Sequence, residues 1–144
     1  LGWTRQAGEI RRLSGRKAAL YRQLMAQRGL ALLPGASALL VRLHAASVPC
    51  AVASSTPREN IAAVLDQFCL STAFGAIIAA EDVARGKTSP DAFLAAAAGL
   101  GMEPERCVVF EDTPVGLQAA RTAGMAPWRS PPRTRPTSWL RPIV

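Results

Sequence analysis

A strand–helix alternation recurs three times between residues 48 and 124 and leaves few folds open to this chain. Three short apolar runs predict strands: PCAVAS at 49–54, FGAIIAAE at 74–81 and RCVVFE at 106–111. Each run is followed by a loop and a helical pattern. Nearly continuous apolar strands separated by helices are typical of βαβ units, in which a parallel sheet is covered on both faces. We therefore predict an α/β protein with a Rossmann-like parallel sheet.

Hydroxyl–proline pairs mark where the helices of this pattern begin. Thr56-Pro57-Arg58-Glu59 is predicted to be a capping box, with the hydroxyl at the N-cap and a glutamate three positions later. Ser89-Pro90 and Thr113-Pro114 are predicted to open the next two helices, and Gly124 to end the last one.

The two flanks of the chain do not follow this alternation. Residues 5–28 and 36–46 predict helices, with Gly29 as the C-cap of the first. After Gly124 the pattern fails, because residues 127–144 hold five prolines and four arginines, and proline cannot donate to the ladder of a central strand. The predicted division is therefore an N-terminal helical segment, an α/β core and a tail outside the core: 1–28, 29–126 and 127–144.

The charge of the chain is unevenly distributed. Of its 144 residues, 49% are hydrophobic and 19% charged, which is typical of a globular protein. The net charge of +7 divides into +6 for residues 1–28, −3 for 29–126 and +4 for 127–144. Basic ends favour solvated faces over a nucleic-acid site, although a basic module for nucleic acid or an anionic surface stays an alternative. No run approaches the roughly 20 apolar residues of a membrane span, and three cysteines without CxxC spacing favour reduced thiols, so we expect a soluble intracellular protein.

Polar residues follow the predicted strands at their carboxyl ends. Right-handed crossovers bring these ends to one edge of the sheet, where open α/β sheets bind ligands. The first group is Ser54, Ser55 and Thr56, whose hydroxyls and helix-start N–H groups suit a phosphate or carboxylate. The alternative is that Thr56 only caps the helix and Ser54 only ends the strand.

Lys87, Glu111 and Asp112 complete this predicted edge. Lys87 lies in the loop after the second strand, where an ammonium group can neutralise a phosphate oxygen; an ordinary exposed loop lysine is the alternative. Glu111 and Asp112 suit Mg²⁺, which takes one or two carboxylates with water and phosphate oxygens, or they contact the N-terminus of the next helix. Together these residues predict a phosphoryl-transfer site.

Three segments resemble the second, third and fourth motifs of the haloacid dehalogenase-like (HAD) hydrolases in order and spacing: AVASST, GKTSPDAFLAAAAGLG and CVVFEDTPVGLQAARTAGM. The resemblance covers about residues 30–125 and points to the β-phosphoglucomutase-like branch, which carries a helical cap. It implies a HAD-like core and a magnesium-dependent phosphatase. Residues 1–28 would then be the remnant of the cap.

The resemblance implies a role for each matching residue. Ser54 would hydrogen-bond the transferred phosphoryl group, with Ser55 beside it, and Lys87 would balance charge on the nucleophile and the phosphate. Glu111 and Asp112 would hold Mg²⁺, with Asp112 in direct contact. The N-terminal segment also resembles plant and algal plastid phosphatases of flavin synthesis, which act on 5-amino-6-(5-phospho-D-ribitylamino)uracil. This implies a small phosphorylated metabolite as partner, and a plastid as the alternative to the cytoplasm.

The chain departs from the HAD family at the first motif, D-x-D-x-T/V, which supplies the aspartate nucleophile and the general acid. Its four aspartates are never two positions apart, and the aspartyl-phosphate route needs that nucleophile. Together with a start at Leu1, this predicts an incomplete core that lacks its first strand and is inactive by itself. The alternative is a catalytically dead remnant that binds a phosphorylated metabolite or a protein partner.

Overall fold

The computed structural model describes residues 6–86 and 88–129. The predictions for Lys87 and for residues 130–144 lie outside these described residues. Within these residues, five α-helices, four strands and two 3₁₀ turns follow one another: α1 (Ala7–Arg28), α2 (Ala36–Ala45), β1 (Ala51–Ala53), α3 (Arg58–Gln67), β2 (Ala76–Ile78), a turn (Ala80–Asp82), α4 (Asp91–Gly99), a turn (Pro104–Arg106), β3 (Val108–Glu111), α5 (Pro114–Thr122) and β4 (Ala126–Arg129). The predicted α/β alternation is therefore confirmed, and within the described residues no helix is long and apolar enough to cross a membrane.

The strands form two parallel pairs. Strand β1 pairs with β2, with Val52 opposite Ile77, and β3 pairs with β4, with Val109 opposite Pro127. Among the described residues the two pairs are not hydrogen-bonded to each other, so the sheet is divided where we predicted it to be continuous.

A shared core nevertheless joins the two pairs. Helix α4 contacts both β1 and β2, and its Phe93 and Ala97 lie in one buried cluster with Val109 of β3. Ala53 of β1 packs against the same cluster. Burial of these apolar side chains holds the pairs under one helix without a ladder between them.

One face of the β3–β4 pair is exposed, which corrects the prediction of a sheet covered on both sides. Val109 is buried, whereas the alternate residues Val108 and Phe110 are 58% and 54% exposed. Trp128 is 62% exposed, with its ring centroid 6.4 Å from that of Phe110. The cause is that side chains alternate between the two faces of a strand. The buried cluster, to which both α4 and α5 contribute, covers only the face that carries Val109.

Strand β4 corrects the expectation that no strand follows Gly124. Ala126, its first residue, donates its N–H to the Cys107 carbonyl oxygen at 3.0 Å. Because successive N–H groups of a strand point to opposite sides, the position of Pro127 faces away from β3. Pro127 therefore removes no hydrogen bond from the β3–β4 ladder, and a proline is tolerated there as it is on an edge strand.

Helix α1 lies against α3 through a small polar contact. Arg22 donates from its guanidinium to Oδ1 of the buried Asn60 at 2.7 Å, and the same nitrogen lies 3.0 Å from a carboxylate oxygen of Glu59. Met25 is buried one turn further along α1. The helix ends as predicted at Gly29, which has a φ of 69° and donates its N–H to the Met25 carbonyl oxygen at 2.9 Å.

Candidate active site

Ser54 extends the β1–β2 pair and begins the turn that leads to α3. Its N–H donates to the Ile78 carbonyl oxygen at 2.9 Å, which continues the ladder by one residue. Its Oγ accepts a hydrogen bond from the Thr56 N–H at 3.1 Å. Because a serine hydroxyl can donate as well as accept, the proton of Ser54 stays available for an oxygen of a ligand. Ser55, next to it, is exposed.

The start of α3 does not contain the predicted capping box. Helix α3 has Pro57 at its N-cap and no side-chain cap hydrogen bond, so Thr56 lies too far upstream to cap it. Instead, the Arg58 N–H donates to the carboxylate of Glu81 at 3.2 and 3.3 Å. The guanidinium of Arg58 also pairs with Asp82. This helix terminus is therefore satisfied by an acidic side chain that sequence reasoning missed, because Glu81 is distant in the chain and its loop carries no capping signal.

Glu111 folds onto the turn that joins β3 to α5. One oxygen of its carboxylate accepts hydrogen bonds from the N–H of Asp112 at 3.1 Å, the N–H of Thr113 at 3.0 Å and the Thr113 hydroxyl at 2.9 Å. Glu111 is only 8% exposed. Thr113 caps α5 as predicted, since its Oγ1 accepts from the Gly116 N–H at 3.1 Å.

Asp112 differs from its neighbour, because it is exposed directly after β3. Within residues 6–86 and 88–129, no group of three or more His, Cys, Asp or Glu side chains is close enough to hold a metal ion. One exposed carboxylate still fits Mg²⁺, which is commonly bound by one or two carboxylates and completes its shell with water and phosphate oxygens. The contact with the N-terminus of the next helix, which the sequence left open for both acids, is made by Glu111.

Arg85 and Ser89, which precede α4, both form hydrogen bonds to Asp91, the first residue of that helix. Arg85 donates from two guanidinium nitrogens to the two carboxylate oxygens of Asp91 at 3.1 and 3.0 Å. The Ser89 hydroxyl donates to the same carboxylate at 2.6 Å. These hydrogen bonds, chiefly the one from Arg85, lower the pKa of Asp91, and the same pairing raises the pKa of Arg85. Sequence reasoning missed this pair.

The two halves of the candidate site leave strands that share one core cluster. Ala53, immediately before Ser54, packs against the cluster that contains Val109, three residues before Asp112. Ser54 and Asp112 therefore follow strands whose side chains pack in the same core cluster. A separate open groove of about 410 Å³ is lined by residues at the carboxyl end of α4 and in the following turn, and none of the predicted site residues lines it.

The α/β core thus carries a hydroxyl after one strand and two adjacent acids after another. The family model described as haloacid dehalogenase-like hydrolase matches residues 4–124. The chain therefore belongs to the haloacid dehalogenase-like hydrolases, which confirms the family predicted from its motifs.

Proteins of this family resemble the chain in sequence and in structure. The chain is 37% identical over 112 residues to protein CbbY of Rhodobacter capsulatus, which is 76% of this chain and 49% of that protein. It is 33% identical over 126 residues to the chloroplastic 5-amino-6-(5-phospho-D-ribitylamino)uracil phosphatase of Arabidopsis thaliana, covering 87% of this chain and 33% of that one. The crystal structure of CbbY from Rhodobacter sphaeroides in complex with phosphate superposes with a TM-score of 0.80 at 32% identity, covering 94% of this chain and 62% of that one. The chain thus spans about half the length, or less, of these curated relatives.

Proposed function

We propose that this chain carries the phosphate-binding and metal-binding part of a magnesium-dependent phosphomonoesterase. The observation that carries the proposal is the state of Asp112, whose carboxylate is exposed directly after β3 while Glu111 holds the backbone beside it. Membership in a hydrolase family supports this chemistry. The crystal structure of a similar protein in complex with phosphate supports phosphate as the ligand.

Each residue has one task in this proposal. Ser54 donates its hydroxyl proton to a phosphoryl oxygen, because the hydrogen bond from the Thr56 N–H uses only a lone pair of Oγ and leaves the proton available. Asp112 holds Mg²⁺, which supplies charge stabilisation for the phosphoryl group when bound. Lys87, proposed from its motif, balances the remaining negative charge as a point cation.

The aspartate nucleophile is the part that these 144 residues do not contain. Asp66, Asp82, Asp91 and Asp112 are never two positions apart, so no D-x-D pair is present. We infer that the pair lies on a further strand, outside this sequence, that inserts between β1 and β3. The inference is supported by the division of the sheet into two pairs that nevertheless share one core cluster. Alone, the chain would then be inactive.

A second candidate function is binding without turnover. It is favoured by the same absence of a D-x-D pair from the sequence, because a phosphate site can persist where the covalent route has been lost. The two functions share Ser54 and Asp112 and differ only in the nucleophile.

The proposed substrate is a small phosphorylated metabolite. The similarity to the Arabidopsis phosphatase extends over 126 residues, which is 87% of the chain. It favours 5-amino-6-(5-phospho-D-ribitylamino)uracil as the substrate. Because that relative is described as chloroplastic, it also favours a plastid over the cytoplasm.

Calorimetric titration of inorganic phosphate into the chain, in the presence of Mg²⁺, tests the site. We expect binding that weakens about tenfold in Ser54→Ala, since a hydrogen bond to a charged group contributes about 1.5 kcal/mol or more. Ser71→Ala removes an exposed hydroxyl elsewhere and serves as the matched control. Equal phosphate affinity in both variants would remove Ser54 from the site. Hydrolysis by a longer polypeptide that includes the upstream segment separates turnover from binding alone.

A further inference from the structure

The hydroxyl turn, residues 54–56, is hydrogen-bonded at both of its ends to the segment that follows β2. The Ser54 N–H donates to the Ile78 carbonyl oxygen at 2.9 Å, and the Ala80 N–H donates to the Thr56 carbonyl oxygen at 3.1 Å. Between these two bonds, the Thr56 N–H donates to Oγ of Ser54 at 3.1 Å. The orientation of the Ser54 hydroxyl therefore depends on the residues after β2 as well as on its own turn.

Asp82 closes the 3₁₀ turn in that segment. Its Oδ2 accepts a hydrogen bond from the Ala79 N–H at 2.7 Å, and its own N–H donates to the Ala79 carbonyl oxygen at 3.2 Å. Ala79 is fully buried and lies in one cluster with Ile61 and Leu65 of α3. Because a buried N–H without an acceptor is costly, the Asp82 carboxylate stabilises this turn at the point where it packs against α3.

Arg58 connects the same carboxylate to the start of α3. One guanidinium nitrogen donates to Asp82 and also to the Ile77 carbonyl oxygen, the latter at 3.2 Å. The backbone N–H of Arg58 donates to the Glu81 carboxylate, next to Asp82 in the chain. An exposed ion pair alone would stabilise little. This pair also engages backbone groups on both sides, so it links the end of β2 to the first residue of α3.

We propose that Arg58 and Asp82 are positioning residues for the hydroxyl turn. Their pairing holds the segment after β2 against the start of α3, and in this way it sets the orientation of the Ser54 hydroxyl toward a phosphoryl oxygen. The role of that hydroxyl rests on the proposed function. The effect of the pair on the turn does not, because it is a property of the chain without ligand.

The charge of Asp82 makes the proposal testable by the sign of an effect. Removing a negative charge close to an anion site should tighten phosphate binding if charge alone governs the affinity. Loss of positioning should weaken it instead. Replacing Arg58 weakens phosphate binding by either route, since a cation is lost, so the decisive variants are those of Asp82.

Amide hydrogen exchange measured by NMR on the chain without ligand tests the effect on the turn. In Asp82→Ala, exchange at the Thr56 and Ala80 amides accelerates more than about fivefold, because the carboxylate that closes the adjoining turn is lost. Asp82→Asn keeps a side-chain oxygen as an acceptor and restores protection to within about twofold of the original chain. Arg12→Ala, which removes an exposed ion pair within α1, leaves both amides unchanged as the matched control.

Unchanged exchange at both turn amides in Asp82→Ala would overturn the proposal. The Ala126 N–H, which donates to the Cys107 carbonyl oxygen, reports whether the rest of the fold is intact. Should Asp82→Ala not fold, Arg58→Ala removes the same pair and must accelerate the same amides, and unchanged exchange there overturns the proposal equally.

Calorimetric titration of inorganic phosphate, in the presence of Mg²⁺, then tests the consequence for binding. Asp82→Ala weakens phosphate binding about fivefold or more despite the loss of a negative charge, whereas Asp82→Asn stays within about twofold of the original chain. In a Ser54→Ala background, Asp82→Ala changes the affinity less than about twofold, because it acts through that hydroxyl.

Three outcomes of this titration are informative. If Asp82→Ala binds phosphate as tightly as the original chain while its turn amides exchange faster, the pair does not position Ser54 and the proposal is wrong. A full additional loss in the Ser54→Ala background contradicts it as well. If the original chain binds no phosphate, the proposed function fails, and the exchange experiment still decides whether the pair positions the turn.

Discussion

Replacing Gly116 by alanine tests how closely α5 is fitted to the Glu111 carboxylate. The new methyl group would lie 2.2 Å from that carboxylate, so either the side chain or the first turn of α5 must move. Overpacking of this kind costs about 1–3 kcal/mol. Displacing the carboxylate also weakens the hydrogen bonds that it accepts from Asp112 and Thr113, which adds to this cost. Against these costs, alanine gains about 1 kcal/mol over glycine inside a helix.

The expected net effect of Gly116→Ala is a loss of about 2 kcal/mol in the free energy of unfolding. For a chain of this size the Tm falls by about 6 °C, which thermal and urea unfolding followed by circular dichroism would detect. Gly15→Ala in α1 is the matched control, since a Cβ there meets nothing within 4 Å. The control should be neutral or stabilise by up to about 1 kcal/mol. If both alanines stabilise the chain equally, the packing of Glu111 against Gly116 is not as described.

Two further predictions concern the contacts that frame the site. Arg22→Ala removes the guanidinium that donates to the buried Asn60 at 2.7 Å, so the free energy of unfolding in urea should fall by about 1–2 kcal/mol. Arg16→Ala, on the exposed face of α1, should change it almost not at all. Equal stability of the two variants would show that the α1–α3 contact is unimportant. Arg85 lowers the pKa of Asp91, so the stabilisation by this carboxylate is fully present above its ordinary pKa of about 3.9 and is lost as the pH falls through the lower folded value. The Tm of the original chain should therefore exceed that of Asp91→Asn by a small, constant amount from pH 7 to 5, and this difference should shrink below about pH 4. A Tm difference that grows in acid would contradict the lowered pKa of Asp91.

The fold was largely predictable because its signals are local. Apolar runs at 49–54 and 106–111 contain the observed strands β1 and β3, and the Thr113-Pro114 pair opens α5 as a hydroxyl–proline pair should. The β4 strand was not predictable from the proline rule alone. That rule assumes a strand bonded on both sides, whereas Pro127 faces away from its only partner among the described residues.

The sequence predicted which residues belong to the candidate site but not which hydrogen bonds their side chains make. Ser54 and Asp112 remain candidates at the ends of two strands that share a core. The sequence could not show that Glu111 folds inward or that Glu81 satisfies the start of α3, because both depend on contacts set by tertiary packing. The same holds for Arg85, whose pairing with Asp91 spans six positions of an irregular loop. Lys87, between them, stays a prediction.

Phosphate release by a longer polypeptide that carries the proposed D-x-D strand tests the proposed site. The substrates are small sugar phosphates and 5-amino-6-(5-phospho-D-ribitylamino)uracil. We expect hydrolysis that requires Mg²⁺, at a rate that falls more than about a hundredfold in Asp112→Asn. Glu103→Gln, an exposed acid in the turn before β3, should retain full activity as the matched control. Because uncatalysed phosphomonoester hydrolysis is extremely slow, even weak turnover stands well above background. Hydrolysis that survives Asp112→Asn unchanged, or that proceeds equally in EDTA, would contradict the proposed site.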